Sequence, residues 1–218
     1  MQKDSIKNIL LVGIGLCVVC GAVISTVAVS LKDQQEQNVI FDQQSKIIDA
    51  ARLLEVYPSS QEALASIEEV VVNLDEGQAS DFPADQYDLD TILRDSSQHT
   101  VLDGSDDIAM ISVRENLSKV YIEYRNNELK TLILPVRGYG LWGTLYGYLA
   151  LDSDLNTIVG LEFYKHKETP GLGAEVDNPN WKKLWNGKRV YDENGLVQIS
   201  VIKGFSNPEN AEYSYEVD

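Results

Sequence analysis

An α+β domain built on an antiparallel sheet with helices packed on it, preceded by one N-terminal transmembrane helix, is the fold class this sequence predicts. Three observations carry it. Residues 9–31 contain no charged side chain, and about 20 apolar residues suffice to cross the hydrocarbon core of a bilayer as a helix. From residue 118 onward, β-branched and aromatic runs alternate with turn-forming residues, the pattern of strands joined by hairpins. Between these regions the apolar residues recur at helical spacing.

The apolar run comes first. It exceeds the roughly 7 to 15 residues of a signal-peptide core, and Val18-Val19-Cys20 lacks the small residue before cysteine that lipoprotein processing favours. Lys3 and Lys7 precede it, while Lys32-Asp33 and Glu36 follow. The positive-inside bias therefore makes residues 1–8 a cytoplasmic tail and puts the rest outside, in the periplasm, with the helix in a bacterial inner membrane. Cys17 and Cys20 both fall inside the run, which leaves the soluble part without a thiolate for a disulfide, a nucleophile or a metal site. Small residues three positions apart in an apolar helix are expected to pack on a neighbouring helix rather than act as a redox pair.

Residues 32–38 read as a short polar link. Ile40, Ile47, Ile48, Ala51 and Leu54 then form a helical stripe over 39–57 that ends before Pro58. Ser60 is the expected cap of a second helix over 61–72. Between Glu55 and Asp107 the sole lysine or arginine is Arg94, and Asp81-Phe82-Pro83, Ser96-Ser97 and Asp103-Gly104-Ser105 punctuate the segment. It reads as a solvated, loop-rich excursion, so residues 32–117 together form a helical connector and acidic region. Asp103, Asp106 and Asp107 lack the spacing and terminal glutamate of a calcium loop, and no metal site is expected there.

The strands are expected at 120–124, 131–136, 145–151, 158–165 and 197–201. Asn126-Asn127, the glycines 138, 140 and 143, Asp152-Ser153 and Glu193-Asn194-Gly195 separate them. Residues 178–185 read as a short helix with Pro179 in its first turn. The formal net charge of −16 excludes nucleic acid as a partner, because neutralising phosphates needs clustered Lys and Arg. His99, in the acidic region, and His166, between two lysines, are the only histidines. With no cysteine nucleophile nearby they do not suggest hydrolysis, and both are expected to be solvated surface residues.

Two short segments stand out. Gly138, Gly140 and Gly143 surround Trp142; read alone, this favours a glycine-rich hairpin around a buried tryptophan, with a ligand-facing indole as the alternative. Thr169-Pro170-Gly171-Leu172-Gly173 follows an expected strand. Read alone, it favours a common Pro-Gly turn. The alternative is a loop that offers the Thr169 hydroxyl and backbone donors to a flat ligand while Leu172 covers it.

In order and spacing, Glu168-Thr169-Pro170-Gly171-Leu172-Gly173-Ala174-Glu175-Val176, then Asn178-Pro179-Asn180-Trp181, with Gly140-Leu141-Trp142 upstream, resemble a known family. It is the NqrC family of the Na+-translocating NADH:quinone oxidoreductases, and the likeness is to its FMN-binding domain, over residues 118–218. The resemblance implies FMN as cofactor, with Thr169, Gly171 and Leu172 at the isoalloxazine and Trp142 and Gly143 near it. It puts Lys203 at a polar edge or the phosphate, and implies that Glu168 shapes the loop rather than touching the ring.

In that family a threonine in a Ser-Gly-Ala-Thr segment, a few residues after a dipeptide such as Val217-Asp218, carries FMN as a phosphoester. Neither Thr157 nor Thr169 lies among such small residues. The expectation is therefore a chain truncated before the attachment motif, with the attachment residue beyond Asp218 and the FMN-binding domain incomplete. No G-x-G-x-x-G opens a βαβ unit, so the chain should not bind NADH itself. The role the resemblance implies is a relay of electrons through FMN from NADH toward ubiquinone, coupled to Na+ translocation. Its implied partners are other membrane subunits of the complex and a flavin transferase for maturation. The alternatives are the related FMN subunit of the ferredoxin:NAD oxidoreductase complex and a membrane-tethered binding module without a redox role.

Overall fold

The computed structural model describes residues 6–218; Lys3 and the rest of residues 1–5, read as part of the cytoplasmic tail, lie outside them. The chain divides into two compact units, one ending at Asp42 and the other Gln43–Asp218. Helix α1 runs without interruption over Ile6–Ala50. It is long and apolar enough to cross a membrane, with a mean hydropathy of 2.5 and no buried residue in its most apolar window. The polar link expected at 32–38 is helical instead. That stretch has no Gly or Pro, is rich in Gln, Glu and Lys that favour helix, and carries an i,i+4 ion pair between Lys32 and Glu36 at 3.6 Å. Helical structure resumes in a single 3-10 turn, Leu53–Glu55, after Arg52 adopts a left-handed φ of 52°.

Helix α2 spans Ser60–Ala65. Its cap is Ser59, not Ser60: the Ser59 hydroxyl accepts the Glu62 N–H at 3.3 Å. The helix expected to continue to residue 72 stops at Ala65, and strand β1 takes over at Ile67–Asn73. Ile67, Val70, Val71 and Val72 are β-branched and stiff, and β1 pairs antiparallel with a later strand along its full length. Strand β2 is Gln78–Ala79. Helix α3, Leu89–Arg94, is capped by Asp88, which accepts the Thr91 N–H at 2.8 Å. Strands β3 (His99–Val101) and β4 (Val113–Glu115) form a small hairpin. His99 is thus a half-buried strand residue opposite Glu115 rather than a solvated loop histidine.

The four long strands fall where the sequence predicts: β5 Leu117–Arg125, β6 Glu128–Tyr139, β7 Thr144–Asp152 and β8 Ile158–Lys165. With β1 and β2 they build a six-stranded sheet in the order β2-β1-β5-β6-β7-β8. Every neighbouring pair is antiparallel. Asn126 and Asn127 have φ of 55° and 62°, the positive values a two-residue hairpin turn needs to match strand twist. Helix α4, Pro179–Lys183, starts at its proline with Asn178 as cap. The strand expected at 197–201 shrinks to β9, Ser200–Val201, paired in parallel with β10, Glu216–Val217.

Both faces of the large sheet are covered. On one, Tyr121, Ile133, Tyr148 and Ala150 pack against Ile47, Ile48, Ala50 and Leu53. A Cβ on Gly160 would collide with the Ala50 carbonyl oxygen, so the last turn of α1 rests directly on β8. On the other face Leu151, Ile158 and Val190 form a second cluster with Trp185 and Ile199. The Tyr148 and Tyr164 rings stack at 5.0 Å, and burial pushes the phenols of Tyr121, Tyr148 and Tyr164 above the usual tyrosine range. The fully buried Glu123 accepts hydrogen bonds from the Tyr57 hydroxyl at 2.8 Å and the Thr131 hydroxyl at 3.3 Å, so its burial does not strand a polar group. The fold class is the α+β one expected.

Candidate flavin site

Two loops at the same end of β6, β7 and β8 carry most of the candidate residues. The first joins β6 to β7. It closes on itself through the Gly140 N–H, which donates to the Gly143 carbonyl at 2.8 Å. The second leaves β8 and runs through Glu168 to Gly173. Within it the Thr169 carbonyl accepts the N–H groups of Leu172 at 3.1 Å and Ala174 at 3.2 Å. Gly171 sits at φ 77° with nothing within 4 Å of the position a Cβ would take, a conformation that favours glycine and opens onto free space.

Glu168 joins the loops. It is 7% exposed, and its Oε1 accepts the Trp142 backbone N–H at 3.0 Å. A Cβ on Gly140 would collide with that same oxygen, and one on Gly173 would lie 2.5 Å from Oε2. Glu168 therefore shapes the loop, as the resemblance implies. Gly143 is buried because the Lys167 side chain lies over it, 2.9 Å from the position of a Cβ. The exposed Lys167 thus stands against this loop, a neighbour that no motif in the sequence signals.

The tryptophan of the first loop is not the core residue that composition alone favours. Trp142 is 61% exposed and Leu172 is 74% exposed, while Trp185 takes the packing role on the second face of the sheet. Thr169 is exposed as well. Trp142 and Gly143 on one loop and Thr169, Gly171 and Leu172 on the other are brought together through Glu168. Lys203 is not tied to them: it is exposed, two residues after β9, and no hydrogen bond or ion pair among the described residues links it to either loop.

His166 departs from the expectation of a free surface residue. Its side chain is 18% exposed, with Nε2 2.6 Å from the Asp177 carboxylate and Nδ1 accepting the Glu168 N–H at 3.2 Å. Because Nδ1 accepts, Nε2 carries the proton and donates to Asp177. The chain entering the second loop is anchored by this pair.

The acidic excursion also reaches this end of the sheet. The Tyr139 N–H donates to the Ala109 carbonyl at 2.8 Å. Arg137 donates to both the Val113 carbonyl and the Glu115 carboxylate at 2.7 Å. Asp107, one of the clustered aspartates, accepts the N–H groups of Ile111 and Ser112 at 2.7 Å each and holds the tip of that hairpin. Burial, aided by the charge of Glu115, pushes the nearby Tyr87 phenol up to about 12.

These residues fit a flavin. Large apolar side chains left in solvent beside open backbone and a free hydroxyl suit a flat ligand with one polar edge. Residues 140–218 match the family of the FMN-binding domain. The chain is 43% identical to the C subunit of the Na+-translocating NADH-quinone reductase of Pseudomonas aeruginosa, over all of this chain and 85% of the relative. It is 40% identical to the C subunit of the Vibrio vulnificus enzyme, over 93% of this chain and 80% of the relative. The crystal structure of Shewanella oneidensis NqrC superposes with a TM-score of 0.71 at 30% identity, covering 80% of each chain. That of the corresponding Parabacteroides distasonis protein does so with a TM-score of 0.59 at 28% identity, covering 79% and 77%. The relatives speak for NqrC over the ferredoxin:NAD alternative. Likeness of this extent in both sequence and fold places this protein in the NqrC family of Na+-translocating NADH:quinone reductases.

Proposed function

We propose that the two loops joined by Glu168 bind FMN, with the ring between Leu172 and Trp142 and the Thr169 hydroxyl at its polar edge. The chain works as a flavoprotein subunit of the Na+-translocating NADH:quinone reductase, beside other membrane subunits, and does not itself bind NADH. It is a single-pass protein of the bacterial inner membrane with its soluble domain in the periplasm. When bound, FMN supplies the redox chemistry, accepting and passing on electrons between NADH and quinone. The residues of this chain hold and shield it: Leu172 and Trp142 offer apolar surface, Gly171 leaves room, and Thr169 can donate or accept a hydrogen bond. No side chain is required as acid or base. The observation that carries this reading is the exposure of Trp142 and Leu172 on loops that are otherwise tightly bonded.

The finer parts of the reading rest on the residue pattern for the segment bounds and on the resemblance for the flavin contacts and attachment. Residues 1–8 serve as the cytoplasmic tail, 9–31 as the span, 32–117 as the connector and 118–218 as the flavin-bearing part. Lys203 is proposed to approach the phosphate on binding. Attachment is proposed to be covalent, through a threonine outside residues 1–218 and by the action of a flavin transferase, since neither Thr157 nor Thr169 stands in an attachment motif. A denaturing gel tests this. The 218-residue form should give no fluorescent band, whereas a form extended through Ser-Gly-Ala-Thr and co-expressed with a flavin transferase should give one. A fluorescent band from the shorter form would place the acceptor hydroxyl within residues 1–218.

A further inference from the structure

We propose that Glu168 is the positioning residue that locks the two flavin-facing loops into one preformed unit, its carboxylate seated in sockets made by Gly140 and Gly173. This deepens the flavin reading and rests on it for its purpose, though the lock can be tested without flavin. The carboxylate is nearly excluded from solvent, yet no lysine, arginine or histidine pairs with it among the described residues. Its hydrogen-bond donor is instead the Trp142 backbone N–H across the gap between loops. A buried carboxylate is costly unless paired and hydrogen-bonded, and with no cation paired to it among the described residues the Trp142 N–H offsets part of that cost.

The two sockets show how closely the loops are fitted to it. At Gly173, Oε2, Cβ and Cδ of Glu168 would lie 2.5, 3.1 and 3.4 Å from an added Cβ, and these are the three nearest atoms. Gly173 has no positive φ, so an alanine there is opposed by Glu168 and not by backbone strain. At Gly140 the same carboxylate blocks a side chain, together with Leu145 and the Gly143 carbonyl. The backbone of Glu168 is held from behind, its N–H donating to His166, which donates in turn to Asp177.

One side chain thus fixes the Trp142 backbone, from which the indole projects, and the glycine that follows Leu172. Both apolar faces take their mutual placement from it. Loops held in the binding geometry before the ligand arrives lose less freedom on binding.

Amide hydrogen exchange on the full chain in detergent micelles, without FMN, tests the lock. Glu168→Ala should speed exchange at the Trp142 amide and through 169–174 together, by about tenfold or more for the loss of a hydrogen bond to a charged acceptor. Glu168→Gln keeps an acceptor oxygen and should restore most of the protection. Gly173→Ala should loosen both loops by expelling the carboxylate, and the Glu168→Ala/Gly173→Ala double variant should exchange no faster than Glu168→Ala alone. Unchanged protection at Trp142 in Glu168→Ala, loops that respond separately, or additive effects in the double variant would each overturn the proposal. FMN retained by the same proteins separates the two ideas. A wild type that shows the lock but whose two loops do not respond to added FMN removes the flavin reading and leaves the lock standing. A Glu168→Ala variant that keeps both its protection and its flavin removes the lock and leaves the flavin reading standing.

Discussion

Replacing Arg137 by methionine is expected to destabilise the 43–218 unit by about 3–5 kcal/mol, the cost of leaving one member of a buried ion pair without its partner. Arg137 and Glu115 meet at 2.7 Å with side chains only 10% and 11% exposed. Arg137 also donates to the Val113 carbonyl, so the same change leaves the β3–β4 hairpin tied to the end of β6 only through the Tyr139 N–H and the Ala109 carbonyl among the bonds described above. Arg137→Met/Glu115→Leu should recover much of the loss, because two apolar groups of similar size carry no desolvation cost. Lys130→Ala serves as the control. Its partner Glu128 is 71% exposed, and such a surface pair contributes about 0–1 kcal/mol. Urea unfolding of the four proteins measures all of these differences. Equal stabilities for Arg137→Met and Lys130→Ala would show that the pair does not hold the hairpin.

Leu172→Asp is expected to weaken FMN binding by about ten- to a hundredfold, since a carboxylate against the ring loses apolar contact and cannot be fully solvated. Folding should hardly notice. Leu172 is 74% exposed, so the change removes no core contact and should alter stability by within about 0.5 kcal/mol. Flavin content and the thermal unfolding midpoint, measured on the same preparation, separate the two effects. A folded variant with undiminished flavin would remove Leu172 from the site.

Much of the fold is legible in the sequence because the long strands announce themselves. Residues 117–165 alternate β-branched runs with turn residues whose geometry admits few alternatives, as the positive φ of Asn126 and Asn127 shows. The departures have local causes. The stretch at 32–38 suggests a link because polarity resembles a loop, yet its residues favour helix and nothing in it breaks one. Residues 67–72 suggest helix because the strand follows α2 with only Ser66 between them. What decides for strand is pairing with β5, some fifty positions away, which no local pattern reveals.

The site is legible as a pair of loops but not as an arrangement. Glycines at 140 and 173 flag close approach without saying what approaches. The answer, the Glu168 carboxylate, depends on the antiparallel pairing of β7 with β8. His166 resembles a surface residue between two lysines because its partner Asp177 lies eleven positions on, in a 3-10 turn. The contact between Ala109 and Tyr139 likewise joins segments that share no motif.

The central claim, that FMN binds where these two loops meet, is tested most directly by mapping amide chemical shifts of the full isotope-labelled chain as FMN is added. The account predicts that residues 140–143 and 169–173 shift together, along with the Trp142 indole N–H. It is contradicted if those loops stay unperturbed while the shifts gather elsewhere, for example around the cavity lined by Arg52, Glu55, Arg125, Lys130 and Asp152.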